Sequence, residues 1–292
     1  MLKANCCIIL SAVLLGCMPL GARLFYQAGG NPESLVLFRF LLAPPFLLPS
    51  LWWGRRKGPS SLKISWRRGG QILLLSTVGT ALTPLCLFHS YRFISSGAAT
   101  TIHFVYPILV VLGSRLFFKE PVSRLKWICV FFSAVGIALF YTPGNGQAIQ
   151  GGFLALFSGG TYAFYILYLE RSGLSNLSPS LLSLYISVCA AAALFLYGWI
   201  SGTLYWPDSW KIWLLLVGFS FTTGMLTTIL FQIGLSRAGS QQAALLSTFE
   251  PVTSILTGVL FFQETLSFRT AVGILCVLAS ILLLTACRRW ES

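Results

Sequence analysis

Charged side chains are scarce in this sequence. Lysine, arginine, aspartate and glutamate together make up 9% of its 292 residues, and only seven of them are acidic. A soluble globular domain carries about 25% charged residues, and here the deficit extends over the whole length. Because 56% of the residues are hydrophobic and the mean hydropathy is +0.80, the composition excludes an ordinary soluble domain and predicts an integral membrane protein.

The motifs of the common enzyme and pump classes are also missing. The chain has no Walker motif, no HExxH and no glycine-rich phosphate loop, which argues against ATP-driven transport. The eight cysteines form no CxxC and no Cys/His cluster. The sequence therefore predicts no catalytic residue, no metal and no cofactor. The net charge of +13 does not predict nucleic-acid binding, because the basic residues lie in short segments between apolar runs.

Apolar runs divide the chain into candidate membrane spans, each of which needs roughly 17–25 residues. Continuous apolar runs predict helices, since the strands of a membrane barrel alternate in polarity. Lys3 and the stretch CIILSAVLLGC that follows resemble a signal peptide, but more membrane comes after them, so residues 4–25 are predicted as the first transmembrane helix. The ten predicted spans are about 4–25, 35–53, 71–91, 98–118, 125–141, 152–169, 179–200, 210–233, 242–262 and 270–287.

The placement of lysine and arginine predicts the orientation of these spans. If the N-terminus is cytoplasmic, the inner segments contain fifteen of the twenty basic residues and the outer segments contain four. The remaining one, Arg39, lies inside the second span. This asymmetry follows the positive-inside rule and predicts that both the N and C termini are cytoplasmic.

The sequence repeats itself at an offset of 144 residues. The stretch VYPILVVLGSRLFFKEPVS, which contains Pro107 and Glu120, aligns without a gap with FEPVTSILTGVLFFQETLS, which contains Pro251 and Glu264. The boundary predicts two domains, residues 1–145 and 146–292, with five spans each. An odd number of spans inserts the second copy upside down, which predicts inverted five-helix repeats and suits alternating access.

At these motifs the sequence resembles the EamA-type family of the drug/metabolite transporter superfamily. The resemblance extends over essentially the whole chain. SLVLFRFLLAPPFLL, with Arg39, is similar to the family's second helix, and GGFLALFSGGTYAFYILYLER is similar to the helix that opens the second half. The resemblance implies ten helices in a multi-pass protein of the cell membrane, in bacteria the inner membrane, that carries a small organic solute.

Polar residues inside the predicted spans are the candidates for contact with that solute. Glu250 lies on one helical face with Ser247, Ser254 and Thr257, and a carboxylate within the bilayer should face protein or a water-filled cavity. We expect Glu250 to bind a cationic group of the solute or to carry a coupling proton. The alternative is a carboxyl group that is protonated or hydrogen-bonded between helices.

The repeat extends this set of candidates. His103 and Tyr106 align with Ser247 and Glu250, so they should face the same central space. The expected solute-binding residues are Glu250, His103, Tyr106, Ser247, Ser254, Tyr162, Tyr165 and Gln232. For the aromatic and neutral polar members, helix packing is the alternative role.

A second set is expected to have structural roles. Arg39 is expected to be an anchor at the headgroups or a partner of Glu33. Glu120 and Glu264 are expected to fix loop geometry where their helices end. The full structural set is Arg39, Pro107, Pro251, Glu120 and Glu264.

Together these residues predict a secondary transporter, an exporter or exchanger, of a small organic metabolite such as an amino acid. Its partners are then the solute and membrane lipid, with no nucleic acid and no obligate protein partner. The alternative is an integral membrane enzyme acting on a lipid-linked substrate. That function would need acidic, histidine or lysine clusters at a membrane face, whereas the acidic residues here are scattered. A channel is disfavoured, because no ring of charges or repeated filter segment is present.

Overall fold

A computed structural model describes residues 2–55, 65–119, 123–139, 146–174, 177–231, 233–234, 246–247, 249–265 and 267–291. Within these ranges the chain is helical and forms no strand. The prediction of an all-helical protein is confirmed for this part of the chain.

We label the helices α1–α10 in chain order, and several consist of two or three consecutive pieces. The first half contains α1 (Leu2–Gly16 and Met18–Gln27), α2 (Pro32–Leu41 and Pro44–Arg55), α3 (Trp66–Leu74, the π-helical Leu75–Ala81, and Leu82–Ser90), α4 (Ser96–His103 and Tyr106–Phe118) and α5 (Arg124–Leu139). The second half contains α6 (Gly146–Arg171), α7 (Pro179–Ser201), α8 (Trp210–Phe219, the π-helical Ser220–Leu226, and residues 227–231), α9 (Phe249–Phe262) and α10 (Phe268–Glu291).

Seven of the described helices are long and apolar enough to cross a membrane, namely Lys3–Gln27, Pro32–Pro49, Trp66–Ser90, Ser96–Phe118, Gly146–Leu169, Ser180–Ser201 and Trp210–Phe231. Two shorter apolar helices, Phe249–Phe262 and Phe268–Leu283, lie near the end of the chain. Large apolar side chains such as Leu116 and Ile200 are about three-quarters exposed, as side chains that face lipid are. The multi-pass architecture is therefore confirmed, while the count of ten spans stays a prediction.

The two repeated prolines lie where helical pieces begin. α4 is interrupted at residues 104–105, and Pro107 is the second residue of its next piece; Pro251 is the third residue of α9. In the first turn of a helix the backbone N–H has no intrahelical partner, so a proline there loses nothing. Each proline therefore lies in the first turn of a helical piece, close to the residues singled out by the sequence.

Helix boundaries also recur at the offset of 144. α3 and α8, and likewise α5 and α10, begin at positions 144 residues apart, and α4 and α9 end 144 residues apart. The next residues, Lys119 and Gln263, have φ angles of 57° and 51°, and they are the only non-glycine residues with positive φ in the described chain. Glycine usually occupies this left-handed conformation after a helix. Two non-glycine residues adopt it here at equivalent positions, so the backbone conformation itself is repeated.

Contacts between helices give their relative directions. α4 and α9 run antiparallel, since Thr100 contacts Ser254 while the earlier Ser96 contacts the later Glu264. α1 and α9 run parallel, because a Cβ at Gly16 would touch Thr253 and Arg23 pairs with Glu264.

α4 and α6 also run parallel. A Cβ at Gly159 would meet the His103 carbonyl, and farther along both helices a Cβ at Gly113 would meet Leu167. α5 and α10 are joined by a hydrogen bond of 2.9 Å from the Ser133 hydroxyl to that of Ser280. These contacts place the irregular backbone of α4 directly against the middle of α6.

Candidate solute-binding site

Four aromatic side chains from α4 and α6 form one group. The rings of Tyr106 and Tyr162 meet edge to face with 4.7 Å between centroids, and Tyr162 stacks on Tyr165 at 5.7 Å. The ring of His103 lies 5.9 Å from Tyr106 and 5.7 Å from Tyr162. The fold therefore brings together four of the residues that the sequence singled out.

Small residues of α6 make this group possible. The Cβ of any larger residue at Gly159 would lie 2.8 Å from the backbone oxygen of His103, so glycine alone allows the two helices this close approach. The hydroxyl of Ser158 lies 2.7 Å from the Thr83 carbonyl and 2.9 Å from Nδ1 of His103. Because a hydroxyl has one proton and the carbonyl accepts it, Nδ1 must donate to Ser158. The histidine is thus held in one tautomer, with Nε2 as its acceptor.

Glu250 belongs to the same neighbourhood from the side of α9. Its carboxyl group lies within electrostatic range of the side chains of Arg39, Tyr106 and Tyr162. Its backbone N–H donates to the Ser247 carbonyl at 3.0 Å, just before Pro251. The carboxylate therefore lies beside the aromatic group and not against lipid.

The polar face of α9 turns toward protein, as its helical spacing predicts. Ser254 and Thr257 are 0% and 4% exposed, whereas Leu256 and Leu260 on the other side are 53% and 71% exposed. Ser254 is engaged in helix packing, since its hydroxyl pairs with that of Thr100 at 2.9 Å and donates to the Ser96 carbonyl at 3.3 Å. Ser247 is buried next to Glu250. Gln232 and Glu120 lie outside the described residues.

Arg39 lies in this group as well, which the sequence did not predict. Its Nη2 donates to the Thr223 carbonyl at 3.3 Å, and its own carbonyl accepts a hydrogen bond of 2.8 Å from Ser220. Both partners belong to the π-helical piece of α8. The side chain also lies within electrostatic range of Glu250, Tyr91 and Tyr162.

The alternative pairing of Arg39 with Glu33 is wrong. The Glu33 carboxylate contacts Nε2 of His89 at 3.2 Å instead. Six residues of helix separate Glu33 from Arg39, a rise of about 9 Å with a turn to another face. Glu33 therefore meets the end of α3, while Arg39 meets α8. We call Arg39, His103, Tyr106, Tyr162, Tyr165 and Glu250 the central polar group.

Most of the central polar group remains partly accessible. Arg39, Tyr106, Tyr162, Tyr165 and Glu250 each keep part of their surface exposed, although they face one another between helices. His103 is buried. The group is therefore packed between helices without being fully buried.

A second cluster of interacting side chains lies at the end of α9. It consists of Arg23, Ser96, Phe262 and Glu264, and we call it the α9-end cluster. Arg23 pairs with Glu264, and its guanidinium lies 4.2 Å from the centre of the Phe262 ring. Oε1 of Glu264 accepts from the backbone N–H and the hydroxyl of Ser96, each at 3.2 Å. The α9-end cluster connects α1, α4 and α9. It lies beside a cavity of about 350 Å³ that is also lined by Tyr91.

The opposite half has a related contact. Arg171, the last residue of α6, lies 4.3 Å from the centre of the Phe118 ring. Phe118 and Phe262 are the equivalent last residues of α4 and α9. In both halves, therefore, the last residue of the repeated helix is a phenylalanine that makes a cation–π contact with an arginine of another helix.

A multi-pass helical protein with ionisable side chains grouped between broken helices is typical of membrane transporters. The model of the EamA-like transporter family matches residues 2–142 and again residues 149–286, so the chain belongs to this family. The resemblance stated from the sequence motifs is thereby confirmed.

Several relatives have transporter names. An uncharacterized transporter of Archaeoglobus fulgidus is 24% identical over 258 residues, covering 86% of this chain and 87% of its own. One from Synechocystis is 27% identical over 291 residues and covers 89% and 83%, and YcbK of Bacillus subtilis is 25% identical over 264 residues and covers 85% and 81%. A solved crystal structure shares the fold, with a TM-score of 0.68 over 98% of both chains at 17% identity.

These comparisons define the general function. The family and the names of the relatives point to a transporter and not to an enzyme. The protein is a multi-pass membrane protein, and the bacterial relatives agree with the inner membrane expected from the sequence.

Proposed function

We propose that this protein is a secondary transporter, an exporter or exchanger, that moves a small organic solute with a cationic amino group by alternating access around the central polar group. The observation that carries the proposal is the position of Glu250. It is an acidic residue in the first turn of α9, partly buried and near the aromatic group of α4 and α6. An amino acid or a related metabolite is the solute class that fits.

The proposal includes two inverted repeats, residues 1–145 and 146–292, with ten transmembrane helices and cytoplasmic termini. The helix directions support the inversion. α1 runs parallel to α9, α9 antiparallel to α4, and α4 parallel to α6, so α1 and α6, the first helices of the two halves, run in opposite directions. Such repeats exchange conformations to open toward either side of the membrane.

The central polar group provides two kinds of attraction for a cation. The carboxylate of Glu250 attracts an ammonium group, and the faces of Tyr106, Tyr162 and Tyr165 offer cation–π contacts that are strongest when desolvated. The same carboxylate can carry a coupling proton when no solute is bound. Among the described residues, no group of three or more His, Cys, Asp or Glu side chains could hold a metal ion.

Uptake into proteoliposomes tests the proposal. Labelled amino acids and nucleosides are offered to the wild-type protein with and without a pH gradient. Glu250→Gln keeps the shape of the side chain and removes its charge, so we expect uptake of the transported solute to fall at least tenfold while expression is unchanged. Arg67→Gln removes an exposed charge at the beginning of α3 and is the control. Unchanged uptake kinetics in Glu250→Gln would contradict the proposal.

A further inference from the structure

We propose that Arg39 and Glu250 are the two charged ends of a site for a zwitterion, in which Glu250 binds the ammonium group and Arg39 binds the carboxylate of an α-amino acid with an apolar or aromatic side chain. This inference rests on the proposed function. It adds a carboxylate-binding residue and makes both charges of the solute a requirement for tight binding.

The first argument is the separation of the two charges. Arg39 and Glu250 interact electrostatically, yet in the described chain no nitrogen of Arg39 lies within 4.0 Å of the Glu250 carboxylate. Opposite charges away from water lose hydration, and only close contact with hydrogen bonds compensates for that loss. A solute with both charges can supply the missing contact at each end.

The second argument is the unused hydrogen-bonding capacity of Arg39. A guanidinium has five N–H donors arranged to hold a carboxylate with two parallel hydrogen bonds. The long 3.3 Å contact from Nη2 to the Thr223 carbonyl occupies one of them. Nε is buried and has no hydrogen-bond partner in the described part of the chain. A buried donor of this kind costs free energy unless a ligand accepts from it.

The third argument is the anchoring of the two ends by different helices. The hydroxyl of Ser220 and the close approach of Gly224 fix the backbone of Arg39 against α8. α1 packs on α9 at Gly16, where a Cβ would clash with the Glu250 carbonyl. These contacts attach the backbones of the two charged residues to different neighbouring helices.

Tyrosines complete the site between the charges. Tyr162 lies within electrostatic range of both Arg39 and Glu250. Tyr106 packs on it edge to face and Tyr165 stacks on it. Rings in this arrangement form an apolar wall, which favours an aliphatic or aromatic solute side chain over a polar one.

The test uses sets of solutes that differ by one charge. One set is phenylalanine, phenethylamine and 3-phenylpropionate, and the other is leucine, 3-methylbutylamine and 4-methylpentanoate. Affinity is measured by the change in tryptophan fluorescence of the full-length protein in lipid nanodiscs. For the wild type we expect at least one of the two amino acids to bind tenfold or more tightly than either of its single-charge analogues.

The variants assign each charge to a residue. In Arg39→Gln we expect affinity for the amino acid to fall at least tenfold while affinity for its amine analogue changes less than threefold. In Glu250→Gln, affinity for the amino acid and the amine should fall while that for the acid analogue is kept. Arg39→Lys keeps the charge but loses the paired donors, so it should restore part of the affinity of the Gln variant. Arg67→Gln is the matched control.

The alternative outcomes separate this inference from the proposed function. Equal losses for the amino acid and the amine in Arg39→Gln would overturn it, because Arg39 would then only support the fold. It is also overturned if neither amino acid binds while proteoliposomes take up a nucleoside or another solute of the uptake panel, which leaves the transporter proposal intact. If the wild type takes up no solute of that panel, the proposed function itself fails.

Discussion

The side chain of His103 is hydrogen-bonded to a single hydroxyl group, that of Ser158. Ser158 donates to the Thr83 carbonyl, so it can only accept from Nδ1 of His103. The ring then packs against Tyr106 and Tyr162. Hydrogen bonding and not charge thus sets the place of this histidine in the central polar group.

Removing that hydroxyl should leave a buried donor without a partner. We expect Ser158→Ala to destabilise the protein by ~1–3 kcal/mol and to lower transport, because the His103 ring is no longer held against the tyrosines. Thermal unfolding in detergent and uptake of the transported solute measure the two effects. Ser201→Ala, which removes an exposed hydroxyl, is the control. Wild-type stability in Ser158→Ala would show that the hydrogen bond is unimportant.

At the scale of helices, the points at which two helices approach each other closely determine which side chains come into contact. α4 and α6 contact through glycine, and this contact places His103 and Tyr106 opposite Tyr162. The recurrence of helix ends at Lys119 and Gln263, each with a left-handed backbone, shows that the two halves form their helices in the same way. The group between the helices is nevertheless asymmetric, because Glu250 replaces Tyr106 at the equivalent position.

Two neighbouring glycines of α6 provide a matched test of this packing. A Cβ at Gly159 would lie 2.8 Å from a backbone oxygen, while one at Gly160 would meet no atom within 4 Å. We expect Gly159→Ala to destabilise the protein by ~1–3 kcal/mol. Gly160→Ala should be neutral or slightly stabilising, since alanine favours helix. Thermal unfolding of both variants measures the difference, and equal melting temperatures would show that α4 and α6 do not approach as closely as described.

At the scale of the whole molecule, the inversion predicts that equivalent helices begin on opposite sides of the membrane. α3 and α8 begin at Trp66 and Trp210, which are 144 residues apart. Exposed residues near the two beginnings are Gly69 and Asp208. If the termini are cytoplasmic, as we propose, Asp208 should lie outside the cell and Gly69 inside it.

Labelling of intact cells checks this arrangement. Gly69→Cys and Asp208→Cys are introduced separately into a variant without the eight native cysteines and treated with a membrane-impermeant maleimide. We expect Asp208→Cys to react in intact cells and Gly69→Cys to react only after lysis. The reverse pattern would invert the orientation, and reaction of both sites in intact cells would exclude inverted repeats.

Much of the central polar group could be predicted because its members carry local signals. Glu250 stands out as a carboxylate in an apolar run. The offset of 144 connects it to Tyr106 and connects its neighbour Ser247 to His103. Tyr162 and Tyr165 share a helical face. Arg39 had the same kind of signal, a charge within a span. Neither the 144-residue repeat nor the helical spacing of neighbouring polar residues indicates, however, which side chains it contacts.

The sequence by itself determined the membrane class, the positions of most helices and the repeat, because these depend on runs of apolar residues and on prolines, which act locally. Only the tertiary structure decided that Glu33 meets His89, that Ser254 serves helix packing and that Arg39 lies near Glu250. These outcomes depend on how distant helices approach one another. That approach is set by the summed fit of many small side chains, which no single stretch of sequence contains.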